Sequence, residues 1–446
     1  YQQNFLHLQC SQSSTLFRLN KMKAHTKNFY SPNFEKIICL FLLLIGFFSK
    51  TFSQDFAKGA DVSWVTQMEA AGKKFYTSEG VETECMALLK SLGMNTVRLR
   101  VWVNPSDGWC NAQDVLVKAL RARNLGMRIM IDFHYSDTWA DPGKQTKPAA
   151  WSNLSFANLK TALSQHTNEV LTLLKNNNIT PEWVQVGNET SDGMLWEDGR
   201  ISKNPQNYAE LNNAGYDAVK SVFPNAKVIV HLPNGYSNSL YRWFFDTLKN
   251  YDGKWDVIGM SVYPYWYTTK NDWQNCNRDC FNNMNDMVNR YGKEVMIVEC
   301  GMQWDVPETC KDFLSDLINK TKNVSQEKGL GVLYWEPECY PGWNGYTLGA
   351  FDNTGKPTIA LDAFKEVSQS NKPLLQNSGW RYDDMQKAIL FDKTFSKVTV
   401  FDSAGTAIQS VSSTNCVSMQ NMQKGVYILH AALKNAEPLL FKFIYN

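Results

Sequence analysis

No long run of one charge sign occurs in the 446 residues: 45 Lys and Arg stand against 43 Asp and Glu, leaving a net charge of +2. A basic surface for phosphates is therefore missing, and no nucleic-acid partner is expected. No Cys-x-x-Cys unit is present, which argues against a zinc ribbon. No glycine-rich phosphate turn follows the first candidate strand, which runs into Asp61-Val62-Ser63-Trp64. That absence disfavours a doubly wound nucleotide-binding sheet. No apolar run reaches membrane-spanning length; the longest, Ile37 to Phe48, is about a dozen residues.

That run sits where an export signal would put it. Met22 reads as the start, with residues 1–21 as upstream sequence; Lys23, Lys27 and Lys36 precede the apolar stretch, and Thr51-Phe52-Ser53 offers a cleavage site. Residues 1–53 are thus expected to be upstream sequence and signal peptide, and the protein to be secreted or held at the cell surface. Of ten cysteines, Cys10 and Cys39 fall in the removed part. Cys276/Cys280 and Cys300/Cys310 are near enough in sequence to pair in an exported protein. Free buried thiols fit the same spacing equally well.

Aromatic residues are abundant: 15 Trp, 19 Tyr and 24 Phe. Most belong to a core, but Trp and Tyr also stack on the apolar faces of sugar rings. Between Lys58 and Phe364, eight short β-branched runs (Gly59–Val62, Thr96–Val101, Arg128–Phe133, Trp183–Gly187, Lys227–His231, Val257–Val262, Glu294–Val298 and Gly331–Trp335) alternate with helical stretches such as Phe281–Tyr291, which points to parallel βαβ units. The fold expected is α/β, a (β/α)₈ barrel over residues 54–367. A linker rich in Ser, Asn, Gln and Pro follows at 368–380, then a small all-β domain at 381–446 with short strands expected at Lys397–Phe401, Ala407–Val411, Val426–His430 and Leu439–Phe443.

In such a barrel the chemistry sits where strands end and βα loops begin. Val184-Gln185-Val186-Gly187-Asn188-Glu189 is an apolar strand ending in an amide and a carboxylate, and Val295-Met296-Ile297-Val298-Glu299 is a second. The two glutamates are 110 residues apart, three βα units, so they end the fourth and seventh strands. Two carboxyls across one acetal bond can divide the labour of a retaining glycosidase, one attacking and the other acting as acid, then base. Arg98, on the second strand, is placed to hold Glu299 ionised. His134, Tyr263 and Trp335 end other strands, and Trp139 lies in the loop after the third. Trp335 is a candidate floor for the sugar and Trp139 a stacking platform.

The runs Lys58–Trp64, Arg98–Pro105, His134–Pro142, Gly187-Asn188-Glu189 and Tyr334-Trp335-Glu336-Pro337 resemble endo-β-1,4-galactanases of glycoside hydrolase family 53. The resemblance spans roughly residues 57 to 366. It implies Glu189 as acid/base, Glu299 as nucleophile and Asn188 at the sugar 2-hydroxyl. It also implies substrate contacts from Arg98, His134, Trp139, Asn234, Tyr263 and Trp335, with β-1,4-galactan as the polysaccharide partner. One departure is Pro233, where some members carry Asp. No cofactor is expected and no metal: some members hold calcium in a long loop after the seventh strand, whereas 301–307 is short and offers only Asp305. The tail, with Lys397–Gly405 and Lys424–Leu429, resembles a type IX secretion sorting domain, so secretion machinery is an expected partner. The rival for the tail is a sugar-binding sandwich. For the barrel, the alternatives are another endo-glycanase of the same clan (mannanase, xylanase or cellulase) or a non-catalytic sugar-binding protein. A monomer is expected.

Overall fold

The computed structural model describes residues 55–365, 380–383, 386–402, 406–420, 422–423, 425–433 and 436–445. The expected leader, and the linker apart from Trp380, lie outside the described residues. Eight parallel strands close into a barrel in sequence order. They are β1 (Ala57–Asp61), β2 (Thr96–Val101), β3 (Arg128–Phe133), β4 (Trp183–Val186), β5 (Lys227–Leu232), β6 (Val257–Val262), β7 (Glu294–Cys300) and β8 (Gly329–Trp335). Closure comes from β1 pairing with β8, Ala57 opposite Gly331 through Asp61 opposite Trp335. Each strand falls where the β-branched runs placed it, and β2, β3 and β6 keep the expected bounds.

Helices α1 (Val65–Ala70) and α2 (Cys85–Ser91) join β1 to β2. The later crossovers carry α3 (Ala112–Asn124), α4 (Phe156–Asn176), α5 (Pro205–Val222), α6 (Asn238–Asn250), α7 (Trp273–Tyr291) and α8 (Pro307–Lys322). Local chemistry sets their starts. Asn111 accepts from the main-chain N–H groups of Gln113 and Asp114, and Ser155 from that of Asn158. The sequence rhythm suggested that α7 begins at Phe281, but it begins two turns earlier. Asp272 caps it, and Cys276, Asn277 and Cys280 supply a buried face that polar Gln274, Asn275, Arg278 and Asp279 conceal from a hydrophobicity count.

A separate five-stranded antiparallel sheet comes next in the chain: β9 (Trp380–Asp383), β10 (Ala388–Phe401), β11 (Ala407–Ser418), β12 (Gly425–Leu433) and β13 (Ala436–Tyr445). Its strands are longer than the sequence suggested, and β9 was not foreseen. In β10 the ladder with β11 shifts register between Leu390 and Phe395, which breaks the alternation that marks a strand. Its core is its own, built on Ile389, Phe391, Phe395, Val398, Val400 and Leu429. The eight cysteines among the described residues are all free thiols, and all but Cys416 are buried.

Candidate active site

Side chains facing into a barrel recur every second residue along a strand. Met130, Trp183, Ile229, Val257, Met296 and Val298 form an apolar floor inside the barrel. Further up the same faces stand Asp132, Gln185, His231 and Ser261, all essentially unexposed. The interior therefore changes from hydrocarbon to hydrogen-bonding groups towards the ends of the strands. Strand β7 reaches that layer by an irregularity. Its ladder with β6 pairs Met260 with Ile297 and Ser261 with Glu299, leaving Val298 as an extra residue. Such a bulge re-aims the side chains beyond it. Glu299, which strict alternation would turn outward with Val295 and Ile297, lines the cleft instead.

After β4 the chain turns sharply through Gly187, at φ 83°, and Glu189, at φ 46°. A side chain on Gly187 would meet Thr190 Cγ2 at 2.6 Å. Tyr135, Asn234 and Glu336, just past β3, β5 and β8, also adopt left-handed φ of 47°, 53° and 47°. Non-glycine residues seldom do so. Their concentration around one mouth marks it as the place where backbone strain serves a purpose.

Carboxylate oxygens of Glu189 and Glu299 and a ring nitrogen of His231 lie within 4.8 Å of one another. His231 does not complete a cation site, because Nδ1 contacts Gln185 Nε2 at 3.0 Å and Nε2 contacts Ser261 Oγ at 2.8 Å. Glu299 receives Arg98 Nη2 at 2.8 Å and the Tyr263 hydroxyl at 3.1 Å. Glu189 receives the Ser261 hydroxyl at 2.6 Å. Burial raises both carboxyls, the Glu189 charge raises Glu299 further, and Arg98 lowers both. Donors are denser at Glu299, which has Arg98 and Tyr263, than at Glu189, which has Ser261 alone among the described residues.

Arg98 differs from the substrate contact that the resemblance implied. It is fully buried beneath the carboxylates and does not line the cleft. Its Nη1 binds Asp61 Oδ2 at 2.7 Å, and its Nη2 meets Glu299 at 2.8 Å, Asp132 at 2.9 Å and Asn188 Oδ1 at 2.9 Å. It therefore holds other residues rather than sugar. The remaining residues singled out from the sequence come together around one open cleft of about 640 Å³: His134, Trp139, Asn188, Glu189, Asn234, Tyr263, Glu299 and Trp335. His134 is anchored by Asp132 at 2.9 Å, and burial lowers its pKa, so it is neutral. Asn188 donates to the Ala140 carbonyl at 2.8 Å, which fixes the sense of its amide.

Trp139 belongs to a tryptophan wall, 5.6 Å from Trp64 and 5.9 Å from Trp335, ring centre to ring centre. Beneath it the buried Arg100 guanidinium lies 4.2 Å from the Trp139 ring and pairs with Glu336 at 3.4 Å. Opposite stands Trp266, 57% exposed and edge-on to Tyr263 at 4.9 Å. Sequence reasoning did not single out Ser261, His231, Gln185, Asp132, Trp64 or Trp266 for the site. The period-2 rule could have found the first four, since each lies two or four residues above a floor residue on its own strand.

The model of the family described as Glycosyl hydrolase family 53 matches residues 57–413. An arabinogalactan endo-β-1,4-galactanase of Humicola insolens is 34% identical over 338 residues, 70% of this chain and 99% of that protein. An endo-β-1,4-galactanase of Bacillus subtilis is 32% identical over 65% of this chain and 71% of its own length. A solved fungal β-1,4-galactanase superposes with a TM-score of 0.64 at 31% identity, covering 70% of this chain and 99% of that one. The resemblance read from the strand-end motifs is thus borne out along the barrel. The chain belongs to glycosyl hydrolase family 53 and is a glycoside hydrolase.

Proposed function

We propose that the protein is a retaining endo-β-1,4-galactanase acting on plant galactan. The observation that carries the mechanism is the approach of the Glu189 and Glu299 carboxylates to within 4.8 Å at the floor of an open cleft. Retaining pairs stand about 5–5.5 Å apart, whereas inverting pairs need roughly 6.5–9.5 Å to admit a water. In the first step the Glu299 carboxylate attacks the anomeric carbon, and Glu189 gives its proton to the departing glycosidic oxygen. The sugar is then an ester of Glu299. In the second step Glu189, now ionised, takes a proton from water, whose oxygen attacks the same carbon and releases Glu299. The galactan substrate is supported by the named activities of the Humicola insolens and Bacillus subtilis relatives. Internal cleavage is supported by the openness of the cleft, with the tryptophan wall at one side and Trp266 at the other.

Incubation with linear β-1,4-galactan tests this reading. Oligosaccharides should appear with a rapid fall in viscosity, and early NMR spectra should show the β-anomer first. An initial α-anomer rejects the double displacement, and hydrolysis of mannan, xylan or cellulose in place of galactan rejects the substrate. The wider reading is an exported enzyme: residues 1–53 as upstream sequence and signal peptide, 54–367 as the catalytic barrel, and 381–446 as a sorting domain. The lysine-then-apolar order before residue 53 and the tail motifs support it.

A further inference from the structure

The Glu189 carboxylate makes one hydrogen bond to a protein group among the described residues, and only through Oε1. Ser261 Oγ approaches that oxygen at 2.6 Å. Behind Ser261 stands His231, whose Nε2 is 2.8 Å from the same hydroxyl oxygen. The direction of these bonds is set by the other side of the ring. Nδ1 faces two donors, the Gln185 amide nitrogen at 3.0 Å and the Glu189 main-chain N–H at 3.3 Å. Asn188 Oδ1 also lies 3.0 Å from Nδ1, but its acceptor capacity is taken up by Arg98 Nη2 at 2.9 Å and Gln185 Nε2 at 3.2 Å. Nδ1 is therefore the lone-pair nitrogen and Nε2 carries the ring proton. His231 is fully buried, and burial together with the Arg98 charge keeps the ring neutral. With Nε2–H donating to Ser261 Oγ, the serine proton is left pointing at Glu189 Oε1.

We propose that the His231–Ser261 pair is a positioning device that keeps Oε1 of Glu189 an acceptor and so places the acid proton on Oε2. A carboxylic acid has one O–H and one carbonyl oxygen. Fixing which oxygen accepts also fixes which one donates. The free Oε2 can then deliver its proton to the leaving oxygen without first rotating the carboxyl. In the second step the same serine donation steadies the newly formed carboxylate while it acts as base. The inference rests on the acid/base role proposed for Glu189. His231 and Ser261 touch no substrate in it and act through Glu189 alone.

The other charged or titratable groups facing Glu189 are Arg98, Asp132, Asp141 and Glu299, with the phenols of Tyr236, Tyr241 and Tyr263. Ser261→Ala leaves all of them in place. Loss of a donor to the carboxylate raises the acid's pKa, so the basic limb of kcat/KM against pH should move to higher pH. On galactan, kcat/KM should fall roughly tenfold or more, a part of the 10²–10⁴ that a positioned acid supplies. On a dinitrophenyl β-galactobioside, whose leaving group needs no proton, kcat/KM should stay within about twofold. Ser261→Thr should restore both, and Ser261→Cys, near in size with a weaker donor, supplies the same comparison if the alanine variant does not fold. An unmoved basic limb, or equal losses on the two substrates, overturns the inference while leaving the galactanase reading standing. A wild-type enzyme inactive on both substrates overturns both, because Glu189 then has no acid role to be positioned for.

Discussion

A carboxylate that must attack carbon has to stay charged in a place that also excludes water, and burial works against it. In the proposed mechanism Glu299 meets that demand through Arg98 at 2.8 Å and the Tyr263 hydroxyl at 3.1 Å. Glu299→Gln should therefore abolish turnover with the fold unchanged, since an amide cannot form the glycosyl ester; turnover within a few-fold of wild type in a clean preparation would remove Glu299 from that role. Glu189→Ala should cost about 10²–10⁴ on galactan, less on a dinitrophenyl substrate, with partial rescue by azide. Tyr263→Phe tests the electrostatics. The lost hydroxyl stabilised the ionised form, so the Glu299 pKa rises and the acidic limb of kcat/KM moves to higher pH, narrowing the active range from below. A limb that stays in place would show that Arg98 alone holds the charge. Both glutamates were legible in the sequence because each ends an apolar run abruptly. Ser261 and His231 were not, because a serine and a histidine inside strands look like ordinary core polar residues until their partners from other strands are known.

The elements that carry these residues keep a simple alternation from β1 to β6, whereas the ladders of β7 with β6 and with β8 each carry a register shift. Reading β7 as a regular strand would set Glu299 on the outer face with Val295 and Ile297, and Cys300 on the inner one. The extra residue at Val298 reverses that, and Cys300 packs into the outer core instead. Nothing in Val-Met-Ile-Val-Glu-Cys announces a bulge, so the strand and its terminal carboxylate were readable but its direction was not. At β4 the turn is more openly written, since Gly187 stands between strand and amide. Its φ of 83° and the 2.6 Å approach of Thr190 Cγ2 leave no room for a Cβ. Gly187→Ala should cost about 1–2 kcal/mol for the left-handed backbone alone, with a further loss from the clash. Activity should fall more than stability, because Asn188 and Glu189 come directly after it. A variant with wild-type kcat/KM would mean that the turn after β4 tolerates a different path.

For the whole molecule, the question is whether the C-terminal sheet belongs to the catalyst or only travels with it. The barrel is closed by β1 and β8, and its last described segment is already tied down: Phe364 is buried and its carbonyl accepts from Lys58 Nζ at 3.0 Å. None of the cleft residues lies beyond Tyr346. The two cores share no residue among those described. The Humicola insolens relative is covered over 99% of its length by a 338-residue match, so that protein is no longer than a barrel with its loops. Against this, the family model reaches residue 413 and so extends into β11. The sequence anticipated a small all-β part after the barrel, but not β9, whose four residues are too short to show a pattern. A chain of residues 54–368 should fold with a melting temperature close to that of the full barrel and hydrolyse soluble galactan at a near-normal rate. In a host with the matching secretion machinery, the same truncation should leave enzyme in the periplasm while the full chain reaches the surface. If the truncated enzyme is exported normally and loses activity only on insoluble galactan, the sheet binds polysaccharide and the sorting assignment fails. If it does not fold, the reach of the family match into β11 was structural, and the sheet belongs to the catalytic domain.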